Sequence, residues 1–141
     1  MFLGEFQHSL DTKGRVILPA EFRPALAEGA VVGAFPGGCL AVYTHDEFER
    51  VSAEILEKLR RGEHDPDAAR VFFADAKEVT PDRQGRVAIP QSLREYAGLA
   101  KDVTVTGVLT RIEVWDSARW TARKAVGRSS LHEAGSSGFG I

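Results

Sequence analysis

One segment of this chain occurs twice, and this repetition constrains the fold more than any other feature of the sequence. The segment DTKGRVILPAEFR, residues 11–23, aligns without a gap with DRQGRVAIPQSLR, residues 82–94, at an offset of 71 residues. The positions that are identical in the two copies are Asp11, Gly14, Arg15, Val16, Pro19 and Arg23, which recur as Asp82, Gly85, Arg86, Val87, Pro90 and Arg94. The apolar positions between them also keep their character.

The correspondence continues after this segment. LAVYTHDEF, residues 40–48, aligns with IEVWDSARW, residues 112–120, after a shift of one residue. Each copy has an aromatic residue just before a helix start, at Tyr43 or Trp115, and another inside the helix. A domain of about 60 residues buries only about 60% of its unfolded surface. We therefore expect the two halves to pack on each other or on neighbouring subunits.

Each copy predicts the same order of elements. A polar turn with glycine leads into a short apolar strand, VILP or VAIP, that a proline ends. A short amphipathic helix follows, over residues 20–27 and 91–97, and the proline suits its first turn. Two more strands and a closing helix complete each copy; the strands are VVGAF and CLAVY in the first copy, and VTVTG and RIEVW in the second.

Capping residues mark the closing helices. Thr44 and Glu47 match a capping box, in which two side chains bond reciprocally to backbone N–H groups. Apolar residues then recur at helical spacing as far as residues 60–62. Asp116 is a suitable N-cap in the second copy, and a further short helix is predicted from Pro66.

These patterns divide the chain into four segments. We predict a first β-rich module over residues 5–47, a helical connector over 48–75, a second module over 76–119, and a helix end with a flexible tail over 120–141. The tail is predicted because the residues after Arg128 are rich in Gly and Ser and show no periodicity.

Composition argues against several classes of protein. No run of about eighteen apolar residues is present, so we expect no membrane span, and the first residues lack the basic-then-apolar order of a signal peptide. Cys39 is the only cysteine, which argues against a disulfide framework or a cysteine zinc site; we expect it in the core. We therefore expect a cytoplasmic protein.

The charge balance gives no general support for nucleic-acid binding. The net charge is −2 and the isoelectric point is near 6.1, whereas nucleic-acid binders usually carry a basic footprint. Symmetric assembly can nevertheless gather a few arginines onto one face while the acidic residues point elsewhere.

The doubled motif D-x-x-G-R is the chemical centre of the sequence. Asp and Gly are turn formers, because Asp bonds to backbone N–H groups two residues on and Gly supplies a positive φ. A single copy therefore indicates only a hairpin turn. A turn does not require arginine directly after the glycine in both copies, and arginine carries a planar fork of donors that suits phosphate and guanine. The doubled motif by itself is compatible both with DNA binding and with a turn that has only a structural role.

The paired D-x-x-G-R-V-x-[LI]-P segments, the opening MFLGEFQHSLDTKGR and the length of 141 residues resemble the MraZ family of bacterial regulators. The likeness extends from Met1 to about Arg123. It implies an α+β, mainly β fold with two tandem AbrB-like (SpoVT-AbrB) modules of swapped β-hairpins, which form a pseudo-two-fold β-barrel core with short flanking helices.

The resemblance also implies a function. It assigns DNA contact to the D-x-x-G-R segments, here Asp11, Gly14 and Arg15 with Asp82, Gly85 and Arg86. Subunits of the family form a homo-oligomeric ring on repeated short boxes in the promoter of a division and cell-wall operon. We therefore expect a nucleoid-associated repressor whose partner is double-stranded DNA, with no cofactor, metal or small-molecule substrate.

Four further basic residues lie beside the motifs. Lys13 and Arg83 precede the motif glycines by one and two residues, and we expect them to contact phosphate. Arg23 and Arg94 lie one turn into the following helix. They could contact DNA, pair with Glu21 or Glu95 in the same chain, or bond to another subunit.

Two other classes of function are alternatives to DNA binding. An enzyme is disfavoured because the histidines are scattered without a zinc-binding spacing, and because no phosphate loop or nucleophile elbow is present; the histidines are His8, His45, His64 and His132. The stronger alternative is an AbrB-like antitoxin that neutralises a partner protein through its C-terminal extension. That tail offers few large apolar residues, chiefly Leu131 and Phe139.

Overall fold

The computed structural model describes all 141 residues, Met1–Ile141. The strands are β1 (Glu5–Ser9), β2 (Arg15–Ile17), β3 (Ala30–Phe35), β4 (Cys39–Tyr43), β5 (Lys77–Val79), β6 (Arg86–Ala88), β7 (Asp102–Val108) and β8 (Arg111–Asp116). The α-helices are α1 (His45–Arg60), α2 (Pro66–Asp75), α3 (Gln91–Ala97) and α4 (Ser117–Phe139). The chain is therefore an α+β protein. None of its helices combines the length and apolar content that crossing a membrane needs.

Six of the strands form one antiparallel sheet in the order β1–β7–β8–β4–β3–β5. The two central strands, β4 and β8, are equivalent strands of the two copies and pair with each other. Toward the edges the copies exchange strands, because β1 pairs with β7 of the second copy and β5 pairs with β3 of the first. The strand order therefore has an internal two-fold symmetry, and each half of the sheet contains a strand from the other copy.

The two remaining strands, β2 and β6, pair only with each other and form a separate two-stranded ribbon. The main core of 18 buried residues lies between this ribbon and one face of the sheet. Val16 and Val87 enter this core from the ribbon, and Val42 and Val114 enter it from the central strands. Phe22, which follows β2, packs edge to face on Phe2 and Phe6 at centroid distances of 5.2 and 5.3 Å.

Helices cover the opposite face of the sheet. Helix α1 packs on β3 and β4, α2 on β3, and α4 on β7 and β8. Because successive side chains of a strand alternate between its faces, Tyr43 and Trp115 point away from the core, where they contact Phe48 of α1 and Trp120 of α4. The ribbon and the three helices α1, α2 and α4 therefore lie on opposite sides of the sheet.

Most elements agree with the sequence prediction. The strands of both copies, the helix from Pro66 and the helix over residues 91–97 are present. Asp116 caps α4, since its carboxylate accepts a hydrogen bond from the backbone N–H of Arg119 at 3.1 Å. Cys39 is fully buried, and this burial raises the pKa of its thiol to about 12, as befits a core residue.

Three predictions were wrong in part. The sheet does not close into a barrel, because β2 and β6 pair only with each other and leave β1 and β5 as free edges. The helix expected over residues 20–27 is two separate 3-10 turns, Ala20–Phe22 and Pro24–Leu26, since Pro24 lacks an N–H to continue a helix. The expected flexible tail instead continues α4 as far as Phe139, and only Gly135 leaves the helical region inside it.

The capping box forms only in part. The hydroxyl of Thr44 accepts a hydrogen bond from the backbone N–H of Glu47 at 3.1 Å. The carboxylate of Glu47 does not return the bond; it accepts two bonds from the guanidinium of Arg50, at 2.6 and 2.9 Å. A nearby arginine on the next turn therefore competes successfully for this side chain.

We expect Phe22→Ala to lower the free energy of unfolding by about 3–5 kcal/mol, because the change leaves a cavity between the ribbon and the edge of the sheet. Phe139→Ala is the matched control, since that ring is 60% exposed at the end of α4; it should shift stability by no more than about 0.5 kcal/mol. Chemical denaturation of both variants tests the difference, and equal effects would contradict the described core.

Candidate nucleic-acid interface

The ribbon brings the two D-x-x-G-R motifs together. Its register pairs Arg15 with Ala88, Val16 with Val87, and Ile17 with Arg86. Paired residues of an antiparallel ribbon share a face, and so do alternate residues of one strand. Val16 and Val87 are buried, so the other face carries Arg15, Ile17, Arg86 and Ala88 toward solvent.

An aspartate organises the turn before each arginine. One oxygen of the Asp11 carboxylate, Oδ1, accepts hydrogen bonds from the backbone N–H groups of Lys13 and Arg15, both at 2.9 Å. The other oxygen, Oδ2, accepts the Nε–H of Arg15 at 2.7 Å. Gly14 closes the turn at φ 74°, a left-handed conformation that favours glycine, and its N–H bonds to the carbonyl of Asp11.

The second motif repeats this geometry. The carboxylate of Asp82 accepts the N–H groups of Gln84 and Arg86 at 2.9 Å and the Nε–H of Arg86 at 2.7 Å. Gly85 has a φ of 79°. The sequence alone indicated no role in folding for the two arginines. In the structure, the hydrogen bond from the Nε of each arginine to the aspartate of its own motif orients the guanidinium.

These contacts stabilise both aspartates in the charged form. The bond from the backbone N–H of Arg15 is the largest cause that lowers the pKa of Asp11, and the Arg15 side chain adds to it. The N–H of Arg86 lowers the pKa of Asp82 in the same way. Because the folded pKa values are lowered, the turns gain stability above the ordinary aspartate pKa and lose it as the pH falls through the lowered values.

The bonds within the chain leave the tips of both arginines free. Only the Nε atoms of Arg15 and Arg86 donate side-chain hydrogen bonds, so the two terminal nitrogens of each guanidinium have no partner. The two arginines are diagonal neighbours on the ribbon, a geometry that separates Cα atoms by about 7–8 Å. Lys13 and Arg83 lie exposed in the two turns, and neither side chain takes part in an ion pair or a side-chain hydrogen bond within the chain.

The arginines that follow the strands lock the two copies together. The Nε of Arg23 donates to the carbonyl of Leu18 at 2.9 Å, and its guanidinium packs against Gly85 of the other copy. Arg94 donates to the carbonyl of Ile89 and packs against Gly14 in the same way. A Cβ on either glycine would overlap the facing guanidinium. Each turn therefore rests on an arginine of the other copy.

This contact corrects one prediction. Neither Arg23 nor Arg94 pairs with Glu21 or Glu95; the carboxylate of Glu95 accepts a bond from Gln91 instead. Sequence reasoning missed the two contacts because they join residues 62 and 80 positions apart in the chain. The available signal was the recurrence of the glycine and the arginine at the same place in both copies.

Comparison with known proteins identifies the family of the chain. The sequence profile of a family described as the MraZ protein, and as antitoxin-like, matches residues 1–69 and 72–135. The chain belongs to the MraZ family. The transcriptional regulator MraZ of Acetivibrio thermocellus is 50% identical over 121 residues, which are 85% of this chain and 84% of the relative. The regulator of Micrococcus luteus is 44% identical over 133 residues, 94% of this chain and 93% of the relative.

Membership in the MraZ family confirms the resemblance that the paired motifs indicated. A third relative, the transcriptional regulator MraZ of Clostridium acetobutylicum, is 45% identical over 121 residues, 85% of this chain and 84% of the relative. The names of these MraZ proteins describe transcription regulators, and regulation of transcription is the class of function that the membership supports.

We expect Gly14→Ala to lower the free energy of unfolding by more than Gly62→Ala does. Both glycines have a φ near 70°, so each alanine costs about 1–2 kcal/mol of backbone strain. A Cβ on Gly62 meets open space, whereas one on Gly14 displaces Arg94 and breaks its hydrogen bond, at a further cost of about 1–3 kcal/mol.

A double-mutant cycle isolates the contact. On an Arg94→Ala background, Gly14→Ala should cost no more than Gly62→Ala does in the unaltered chain, as measured by chemical denaturation. Additive costs of Gly14→Ala and Arg94→Ala would show that the guanidinium does not support this turn.

Proposed function

We propose that this chain binds double-stranded DNA at a specific sequence, through the outer face of the ribbon β2–β6, and regulates transcription from its own promoter. One observation carries the proposal: the ribbon presents two arginines on a single solvent-facing surface, each held by an aspartate and each with free terminal nitrogens. The family membership supports regulation of transcription as the setting.

The dimensions of the ribbon suit the major groove. Adjacent strands lie about 4.7–4.9 Å apart, and the major groove of B-form DNA, about 12 Å wide, admits a two-stranded ribbon. A guanidinium whose Nε is held by a carboxylate keeps both terminal N–H groups for the O6 and N7 acceptors of guanine. We assign this role to Arg15 and Arg86, with Asp11 and Asp82 as the residues that position them.

The remaining motif residues have supporting roles in this proposal. Gly14 and Gly85 allow the turns that carry the arginines to close, because each accepts a left-handed backbone and leaves room for the arginine of the other copy. Lys13 and Arg83 contact phosphate. Because each Asp–Arg pair is neutral as a unit, these two exposed cations supply the attraction to the DNA backbone, which does not depend on sequence.

The acidic isoelectric point is compatible with this proposal because of where the charges lie. Helix α1 carries five carboxylates against three basic side chains, and it covers the face of the sheet opposite the ribbon. The excess of negative charge on this helix is therefore separated from the proposed DNA face by the sheet and the core.

We also propose that residues 5–47 and 76–119 are two interlocked AbrB-like modules, joined by the connector 48–75. The exchange of β1 and β5 between the copies supports this division. The full proposal is a repressor of the division and cell-wall operon, associated with the nucleoid and bound to repeated boxes in the promoter of that operon.

Self-association is the second part of the proposal. Two grooves occupy equivalent places in the two copies, each between a closing helix and a turn of the other copy. The first has a volume of about 500 Å³ and is lined by Met1, Phe2, Ala25, Thr44, Asp46, Glu47, Arg50, Leu109 and Thr110. The second has a volume of about 360 Å³ and is lined by Gly37, Trp115, Arg119, Ala122, Arg123 and Val126.

These grooves are complementary in charge, and both expose apolar side chains. The first, the acidic groove, contains Asp46 and the ion pair of Glu47 with Arg50, which leaves Asp46 as its net charge; the second, the basic groove, contains Arg119 and Arg123. Leu109 is 54% exposed at a φ of 60°, a strained position for leucine. We propose that the acidic groove of one subunit contacts the basic groove of the next, a head-to-tail contact that forms a ring where the rotation closes.

An antitoxin-like role is the alternative function. The description of the matching family includes it, and α4 exposes Val126, Leu131 and Phe139 along its length. Purification from the native host separates the two functions, because an antitoxin brings a small protein partner in stoichiometric amount.

We expect Arg15→Ala to weaken binding to the promoter DNA of the chain at least ten-fold, with Arg86→Ala equal or milder. A bidentate contact is worth about 1–3 kcal/mol of discrimination, and several bound subunits multiply the loss. Lys13→Ala should weaken binding about equally on promoter and scrambled duplexes, with a shallower dependence on salt. Filter binding over a salt series measures both effects.

Arg70→Ala is the control for these variants, because Arg70 is an exposed arginine on α2, on the other side of the sheet and outside both grooves. It should bind both duplexes like the unaltered chain. If Arg15→Ala discriminates promoter from scrambled DNA as well as the unaltered chain does, the ribbon is not the face that reads the sequence.

Charge reversal tests the contact between subunits. We expect Asp46→Lys or Arg123→Glu alone to weaken self-association about ten-fold, close to 1.4 kcal/mol, and the double variant to restore it. Native mass spectrometry at micromolar concentration measures the oligomers. A stable monomer of the unaltered chain would overturn self-association, and oligomers insensitive to both changes would overturn this choice of grooves.

A further inference from the structure

The outer face of the ribbon is symmetric in its charges but not in its apolar residues. The internal two-fold relates Arg15 to Arg86 and Ile17 to Ala88, since the copies are offset by 71 residues. The two arginines therefore match, whereas isoleucine stands opposite one of them and alanine opposite the other. The side chain of Ile17 has three more carbon atoms than that of Ala88, so the apolar part of this four-residue face is larger on one side.

Ile17 does not serve the core. It is 39% exposed and lies outside the buried cluster that contains its neighbours Val16 and Leu18. Its partner across the ribbon is Arg86, and directly opposite residues hold their Cβ atoms about 4.5–5.5 Å apart. An apolar side chain of this size therefore lies exposed beside a guanidinium whose tip is free.

The chemistry of the major groove offers one apolar feature to such a side chain. Thymine carries a C5-methyl group there, whereas cytosine has only a hydrogen at that position. Successive base pairs lie about 3.4 Å apart along the duplex, so the separation of Ile17 and Arg86 matches contacts with the same or the neighbouring base pair. Ala88, with a single methyl group, is too short for the equivalent contact beside Arg15.

We propose that Ile17 is a specificity-determining residue that contacts the C5-methyl group of a thymine next to the guanine read by Arg86. The inference rests on the proposed DNA binding by the ribbon and extends it. It makes the site that one chain recognises asymmetric, although the arginines are related by two-fold symmetry, and so it sets one orientation of the chain on the duplex.

The two turns differ in the same sense and support a fixed orientation. The first turn carries Thr12 and Lys13, and the second carries Arg83 and Gln84 at the equivalent positions. Each turn therefore has one cation, but at a different place relative to its glycine. Phosphates on the two sides of the ribbon then meet different donors.

Replacement of thymine by uracil tests the proposal, because it removes only the methyl group. In promoter duplexes with one thymine replaced at a time, the unaltered chain should lose about four-fold in affinity at one position of a box, the value of one buried methyl group. Ile17→Ala should bind the thymine duplex about as weakly as the unaltered chain binds that uracil duplex, and should not distinguish the two. Ala88→Ile should gain sensitivity at the position related by the two-fold.

The control variant is Val71→Ala, which shortens an exposed apolar residue on α2, on the other side of the sheet; it should keep the sensitivity to uracil. If the unaltered chain prefers promoter to scrambled DNA but its affinity does not change when uracil replaces thymine at any position, the role of Ile17 is overturned and the proposed function is not. The same follows if Ile17→Ala retains the uracil effect. Failure of the unaltered chain to prefer promoter DNA would overturn the proposed function, and this inference with it.

Discussion

The pairing of two three-residue strands, Arg15–Ile17 and Arg86–Ala88, is the interaction on which the rest of the structure depends. It buries Val16 and Val87 against the sheet, and it brings together two motifs that are 71 residues apart in the chain. A ribbon of this length is too short to be stable by itself. The arginines that pack on the opposite glycines hold its ends, so the folding of each turn depends on the other copy.

The same arrangement explains why arginine, aspartate and glycine occur together. The aspartate orders the turn and orients the arginine, the glycine accepts a left-handed backbone, and the arginine of the other copy fills the space that the glycine leaves. Much of the motif is therefore structural, and of its aspartate, glycine and arginine only the tips of Arg15 and Arg86 remain available for a ligand. The Nε of each of these arginines thus has a structural role, and its two terminal nitrogens are available for a functional one.

Sequence reasoning predicted local features well and long-range pairing poorly. The duplication, the strands and the starts of α2 and α4 follow from turn residues, alternation and caps, which act over a few residues. The residues by themselves did not predict β1 and β5 or their exchange, because neither of these edge strands contains a buried residue. The role of Arg23 and the bond of Glu47 to Arg50 were missed for a similar reason: several partners are within reach, and geometry selects one.

The strand exchange also has a consequence for how such a chain can be divided. No single cut separates two complete halves, because the first copy contains an edge strand of the second half of the sheet, and the reverse is also true. Half of this chain would find its missing strands only in another half, so the polypeptide is in effect a dimer whose two members are joined by the segment that contains α1 and α2. Because the two halves are covalently linked, their association is intramolecular, and each half is present at a high effective concentration for the other. It also allows the two members to diverge, and positions such as Ile17 and Ala88 are where they have done so.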